Sequence, residues 1–463
     1  VLTGETLLLI AYGSLLLGTV VGLFGDKLPR ANHTIAIFGS FAAGVAAVCF
    51  SLAPELQAFG NKFLYSSVTR IACVGFCVLM ILWTMWISGR VKGRTREAVA
   101  LAFLSLFGAC MLVSIREFIT FLAAFELTAM PAYVLIGYWV KRRSGLEGAL
   151  KYFLFSVLTT LVMTYGISLL YASSGTTYMP GIDLSQAGPL GVLGLMMLMV
   201  GLFTKVSAVP FHFWAPDAYS GAPAWTMAFV ATVPKAAAAI SFAMITGYLF
   251  NQSEVLPLVL AVIASLSMIV GSFAALTQKD IRRIIAYSGV VNAGYTMVAL
   301  VALGSAGREA IIAALLFTLY YAISILGIIF ITATEGAKVS DLAGLSKRRP
   351  AAAWSLVIFC LSLVGVPPLT GFFGKLGVFI VGFDSPYWFL VILATVCSVV
   401  STFYYLRLVK AAFFDAEERE HVTAKGYKME PNFCANLAIV KLVAMTVMLA
   451  PFMMWIIDRL DIL

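Results

Sequence analysis

Apolar stretches about as long as a bilayer is thick recur along this whole chain, and they constrain its fold more than any motif does. Residues 5–24, 97–115, 191–203 and 352–366 are examples. A helix rising 1.5 Å per residue needs about 20 such residues to cross the hydrocarbon core. Of the 463 residues, 61% are hydrophobic and 11% charged, against about 45–50% and about 25% in a soluble domain. Lipid offers backbone groups no water, so the stretches must satisfy themselves as helices. Ending each apolar run at a Gly, Pro or charged cluster predicts fourteen helices, over 3–24, 33–53, 64–88, 97–115, 117–139, 147–171, 190–212, 222–249, 255–277, 281–303, 308–334, 351–379, 386–414 and 434–457. The expected fold class is therefore all-α, a polytopic membrane protein of about 14 transmembrane helices. Two longer connections, 172–189 and 415–433, read as solvated loops.

The net charge of +9 does not point to nucleic acid, because the basic residues lie in short loops between apolar runs rather than in one stripe. They serve as a test of the helix count. With the N-terminus outside, the inner loops carry twenty Lys and Arg, from Lys27 and Arg30 to Lys425 and Lys428, and the outer loops and ends carry five: Lys62, Arg70, Arg116, Arg308 and Arg459. A miscount by one helix would scramble that asymmetry, so fourteen spans with both termini outside is the expected topology. Glu5, with no Lys or Arg ahead of the first apolar stretch, argues against a signal peptide and for a retained helix.

Six basic residues fit neither loops nor ends. Arg407 and Lys441 lie near helix ends and are expected to snorkel to the interface. Lys151 sits near the start of the sixth span. Lys205, Lys235 and Lys375 fall well inside apolar runs, as does Glu126 in Phe-Leu-Ala-Ala-Phe-Glu-Leu-Thr-Ala-Met-Pro. A charge at a helix centre costs about 2.5–3.5 kcal/mol on insertion scales, so such groups face a polar pathway or a partner. Prolines stand beside two of these lysines: Pro210 five residues after Lys205, and Gly365-Val366-Pro367-Pro368 shortly before Lys375. A proline frees carbonyls of the preceding turn, which water or polar side chains must then satisfy. Paired interrupted helices point to an ion path between inverted repeats. The bland alternative is that the prolines are kinks and the lysines are buried against carbonyls.

Other chemistry is missing from the sequence. The three histidines are scattered and form no metal-binding motif, nucleotide-binding glycine motifs do not occur, and Cys73 and Cys77, one turn apart inside a span, read as small buried hydrophobes.

From about residue 113 to 410 the chain resembles the proton-conducting antiporter-like subunits shared by respiratory complex I, multisubunit sodium/proton antiporters and membrane-bound hydrogenases. The likeness rests on Glu126-Leu-Thr-Ala-Met-Pro131, Glu147-Gly-Ala-Leu-Lys151-Tyr152, Lys205 with Pro210-Phe-His212-Phe-Trp214, Pro216-Asp217-Ala-Tyr219-Ser-Gly221-Ala-Pro223, Lys235, Asp280 through Ser288, and Gly365 through Lys375. Three features resemble the N-type branch of complex I: Pro-Asp-Ala-Tyr followed by Gly-Ala-Pro, a lysine in the twelfth helix, and no long lateral helix. The resemblance implies a core over 113–410, flanked by helices in 1–112 and by a loop and last helix in 411–463. It implies that Glu126 is the ion-pair partner of Lys205, that Lys205 stores the proton, that Lys235 relays it and that Lys375 gates exchange, with Glu147, Lys151 and His212 as auxiliary candidates. It also implies no cofactor in this chain, with FMN, iron–sulfur clusters and quinone on other subunits. The implied partners are M- and L-type antiporter-like subunits, small subunits of the K, J, A and H types and a peripheral redox arm, in a bacterial inner membrane. Two departures stand out: Asn292, where many members have a histidine, cannot titrate, and Ala224-Trp225 replaces Thr-Pro after Gly-Ala-Pro. A cation/proton antiporter or a hydrogenase- or ferredoxin-linked complex is the neighbouring alternative. A silent membrane scaffold is the alternative from another class.

Overall fold

The computed structural model describes residues 4–24, 39, 41–42, 44–46, 56–87, 95–138, 143–184, 188–416 and 433–459. Its labelled helices are α1 (Gly4–Phe24), α2 (Ser67–Ile87), α3 (Thr95–Leu112), α4 (Phe118–Gly137), α5 (Arg143–Ser174), α6 (Gly188–Val206), α7 (Trp214–Gly221), α8 (Ala224–Val230), α9 (Val233–Leu249), α10 (Val255–Thr277), α11 (Ile281–Leu300), α12 (Arg308–Glu335), α13 (Pro350–Val364), α14 (Thr370–Phe383), α15 (Phe389–Phe413) and α16 (Phe433–Arg459). Among the described residues, eight helical segments are long and apolar enough to cross a membrane. The predicted span 33–53 lies almost wholly outside the described residues, as do Lys27, Arg30, Arg90, Lys92, Arg94, Lys141, Arg142 and most of the 415–433 loop.

The all-helical expectation misses one small feature. Leu56–Ala58 pairs with Phe63–Tyr65 as an antiparallel hairpin, and Glu5 on α1 accepts a hydrogen bond from the Phe59 amide at its turn. The 172–189 connection is also packed more closely than a solvated loop: Met179, Ile182 and Leu184 are buried, and the Leu184 amide donates to Gln252.

Depth in the bundle follows from which helices have a polar or lipid-like face. α12 is the central post, 94% of its most apolar stretch being buried, whereas the corresponding value for α5 is 33%. Along α5, Leu146, Leu150, Leu154, Leu158 and Leu161 are exposed. Their spacing of three or four residues puts them on one helix face, which suits contact with lipid. Neighbouring helices approach through small residues, as is common in membranes. A methyl group on Gly166 of α5 would lie 2.7 Å from the Gly194 carbonyl oxygen of α6, so these two backbones are nearly in contact.

The order of elements repeats. α3, α4, α5, the broken pair α6/α7 and the pair α8/α9 form five crossings. α10, α11, α12, the broken pair α13/α14 and α15 form five more. An odd number of crossings reverses direction, so the second set runs through the membrane upside down relative to the first. The break falls on the fourth crossing of each set.

Both predicted breaks occur, and a third does as well. The seventh span ends at Val206 rather than 212, because Ser207 turns left-handed at φ 63° before a cis Val209–Pro210 bond. The twelfth divides at Gly365, left-handed at φ 92°, and a cis Pro367–Pro368 bond. The eighth, expected to be continuous over 222–249, is interrupted at Ala231-Thr232. Pro234 in the first turn of α9 starts a new helix there, and the Thr232 hydroxyl folds back onto the Ala228 carbonyl at 2.7 Å. The tenth span ends at Leu300, and a single turn at Leu303–Ala306 leads into α12.

Candidate functional site: lysines at helix breaks

Each of the three lysines from the apolar runs sits within five residues of a helix end made by one of these breaks or within the half-helix that follows it. Lys205 occupies the last turn of α6 and Lys235 the first turn of α9, while Lys375 lies on α14 just beyond the second break. Lys205 and Lys375 are 8% and 7% exposed.

At the first break the Thr204 carbonyl, which loses its partner four residues on, accepts from the Ser207 amide at 3.1 Å and from the Trp214 indole N–H at 3.0 Å, and Ser267 accepts the Val209 amide. The Lys205 amine therefore serves no carbonyl. It donates to the Tyr133 hydroxyl at 2.7 Å and stands 4.8, 5.0 and 5.7 Å from the ring centres of Phe125, Tyr133 and Tyr152. Such a ring cage attracts a desolvated cation through the negative ring faces. The implied Glu126–Lys205 ion pair is not formed: Glu126 accepts from the Thr160 hydroxyl at 2.7 Å, and Lys205 rests on tyrosine. The reason is geometric. Tyr133 stands seven residues after Glu126 on the same face of α4, and its long side chain presents the nearer acceptor.

At the second break the lysine does the structural work. Lys375 donates to the freed Val364 carbonyl at 2.8 Å and to the Ser398 hydroxyl at 2.7 Å. Ser362 and Ser324 are joined beside it at 3.0 Å. Here the bland expectation, a lysine against a carbonyl, describes the geometry.

Lys235 differs from both. Its buried amine has no hydrogen-bond partner, and the nearest ring centre, that of Tyr219, is 6.0 Å away. Two cavities meet there. One of about 10 Å³ is lined by both Lys205 and Lys235, and one of about 30 Å³ by Lys235, Asn292, Thr296, Thr318 and Tyr321 among others. A water needs roughly 10–15 Å³ measured this way, with two to four polar partners. Lys205 and Lys235 are thus joined by space for about one water. Lys375 lines neither cavity.

The auxiliary candidates separate. Glu147 and Lys151 pair at 2.7 Å, Lys151 reaches Asp217 at 2.8 Å, and Asp217 also pairs with Arg283. This half-exposed cluster lies at one end of the bundle, where Arg282 donates to the Ala222 carbonyl at 2.9 Å, and it does not touch Lys205. His212 is 6% exposed, with Nδ1 unpartnered, and packs on Phe213 and Tyr287. Arg407 finds partners at a helix end. It donates to the Leu276 and Gln278 carbonyls at the end of α10, where the helix dipole is negative. Lys441 is exposed. Trp225 packs its ring on Trp83, and its carbonyl accepts from the Trp83 indole at 2.7 Å. Cys73 and Cys77 are buried, and no three His, Cys, Asp or Glu side chains converge among the described residues.

Sequence reasoning missed Tyr133, Ser398 and the role of Trp214. Only Tyr133 left a signal: it shares a face with Glu126.

Residues 116–401 match the family model described as NADH:quinone oxidoreductase/Mrp antiporter, transmembrane. The NADH-quinone oxidoreductase subunit N of Rhodospirillum rubrum is 33% identical over 423 residues, covering 88% of this chain and 86% of that one. A chain of respiratory complex I from Thermus thermophilus superposes with a TM-score of 0.82 at 29% identity, over 95% of this chain and 96% of that one. A chain of the Mrp complex from Dietzia sp. superposes with a TM-score of 0.85 at 17% identity, over 98% and 96%, and shares the fold.

Proposed function

The chain belongs to the NADH:quinone oxidoreductase/Mrp antiporter transmembrane family, and from that premise we propose that it is a proton-translocating membrane-arm subunit of an NADH:quinone oxidoreductase. The observation that carries the reading is the cavity of about 10 Å³ lined by both Lys205 and Lys235, which is room for about one water. Similarity to subunit N and to a complex I chain over nearly the whole length supports this setting over a free-standing antiporter.

In this reading Lys205 holds a proton in its aromatic cage, and Glu126 acts on it from a distance. In a medium of low dielectric, the proton affinity of an amine depends strongly on how near a carboxylate stands. Movement of α4 or α6 that exchanges Tyr133 for Glu126 as the partner of Lys205 changes that affinity. The proton then passes through water to Lys235, and Lys375 controls the far end. Glu147, Lys151, Asp217 and Arg283 gather charge at the end of the bundle where protons enter. FMN, iron–sulfur clusters and quinone belong to other subunits. The partners are M- and L-type antiporter-like subunits, K-, J-, A- and H-type small subunits and the peripheral arm, in a bacterial inner membrane with both termini outside.

The test is Lys205→Ala in the assembled complex. We expect this subunit's proton translocation to be abolished and coupled turnover to fall, measured as protons moved per NADH oxidised in liposomes. Wild-type translocation and turnover would sink the assignment.

A further inference from the structure

Beyond the lysines themselves, one turn of α11 is shaped around the Lys235 amine. A methyl group built on Gly289 would lie 2.3 Å from Lys235 Nζ and 3.3 Å from the Tyr321 hydroxyl. Only a residue with no side chain lets the amine occupy that position. One turn further on, Asn292 donates through Nδ2 to the Ser288 carbonyl at 2.7 Å, which leaves Oδ1 as an acceptor. Asn292 and Gly289 both line the cavity of about 30 Å³ that Lys235 enters. That volume suits about two waters, and the amine, buried and without a protein partner, is the donor such waters require.

We propose that Gly289 and Asn292 are positioning residues that seat the Lys235 ammonium on a bound-water site. Gly289 admits the nitrogen, and Asn292 Oδ1, with the hydroxyls of Thr296, Thr318 and Tyr321, holds the water against it. The ligand class is water. Asn292, unable to titrate, works as a fixed acceptor. The inference rests on the proton-relay reading above and deepens it.

The two substitutions that test it separate folding from function. Gly289→Ala meets the tip of a flexible lysine and, less closely, the Tyr321 hydroxyl, so the chain can fold around it, and alanine is the better helix former. The lysine tip must nevertheless move by about 1 Å, a displacement that can cost a proton-transfer step on the order of a hundredfold. We expect the intact complex bearing Gly289→Ala to assemble and to resist heat at least as well as wild type, while its protons per NADH fall to the level of Lys235→Ala. Asn292→Leu, which puts an apolar group against the cavity, is expected to do the same, and Asn292→Gln to retain at least half of wild-type translocation. Water density between Lys235 and Asn292 in a high-resolution map of the complex is the structural counterpart.

Wild-type translocation in Gly289→Ala or in Asn292→Leu, beside a defective Lys235→Ala, overturns the seat and leaves the relay standing. Wild-type translocation in Lys235→Ala overturns the relay itself. Should both seat variants fail to assemble, the map decides: a dry cavity at a resolution that shows waters elsewhere in the membrane arm overturns the proposal.

Discussion

The first and second breaks answer one physical problem in two ways. Each leaves a carbonyl without its helical partner in a place where lipid cannot replace it. At the first, Trp214 takes the Thr204 carbonyl, and the lysine beside it is spared to rest on Tyr133. At the second, Lys375 takes the Val364 carbonyl itself. A buried amine that carries a structural hydrogen bond is harder to move than one held by a phenol and three rings. The first half thus holds its lysine without a carbonyl, and the second holds its lysine at the junction itself.

The largest effect expected from this contrast is a difference between two alanine variants. Lys205→Ala is expected to remove translocation but leaves the Thr204 carbonyl with both its donors, so heat inactivation of the purified complex should match wild type. Lys375→Ala orphans the Val364 carbonyl apart from a long contact of 3.3 Å from Ser398. It should therefore cost about 1–2 kcal/mol of stability, read as faster heat inactivation, as well as translocation. Equal heat resistance in the two variants breaks the comparison. Trp214→Phe sharpens it: the Thr204 carbonyl loses the indole and keeps the Ser207 amide at 3.1 Å, and we expect a loss of about 1 kcal/mol with translocation largely kept. If translocation collapses as it does in Lys205→Ala, the freed carbonyl has captured the lysine and the first break has become like the second.

A smaller effect, away from both breaks, sets the baseline. Glu117 caps α4, accepting from the Ile119 amide at 3.0 Å and the Thr120 amide at 2.8 Å. Burial alone would raise its carboxyl, but the Thr120 hydroxyl and these amides outweigh it and hold the group below its ordinary value. A depressed carboxyl contributes stability above the ordinary carboxylate range and loses it as pH falls through the folded-state value. Glu117→Gln should therefore cost about 1 kcal/mol at neutral pH, and the gap from wild type should close in acid. A gap that widens as pH falls contradicts the cap.

The crossings were legible in the sequence because hydropathy and basic loops report them independently, and the breaks at Pro210 and Pro367-Pro368 were legible because proline cannot continue a helix. The break at Thr232 was not, since Pro234 stands in the first turn of α9, where proline is tolerated, and the apolar run continues across it. The site was legible in its charges and not in their partners. Lys205, Lys235 and Lys375 announce themselves by cost. Tyr133, Trp214 and Ser398 are ordinary membrane residues whose roles exist only after α4, α7 and α15 have packed. The Glu126–Lys205 pair failed as an expectation because nothing in the linear order says which of two acceptors on one helix face lies closer.

The odd number of crossings in each five-part set has a consequence for the charge of the loops. Equivalent loops of the two sets emerge on opposite sides of the membrane, so the bias that places Lys and Arg on one side asks opposite things of them. Between α3 and α4 stands Arg116 alone, whereas between α10 and α11 stands Lys279, followed closely by Arg282 and Arg283. Between α4 and α5 lie Lys141 and Arg142, and the equivalent stretch 301–307 has no basic residue. Two identical copies of either half, joined in tandem, would give the insertion machinery contradictory orientation signals. The halves can share a backbone plan only by differing in sequence, which is why their kinship shows in the fold and is silent in the residues.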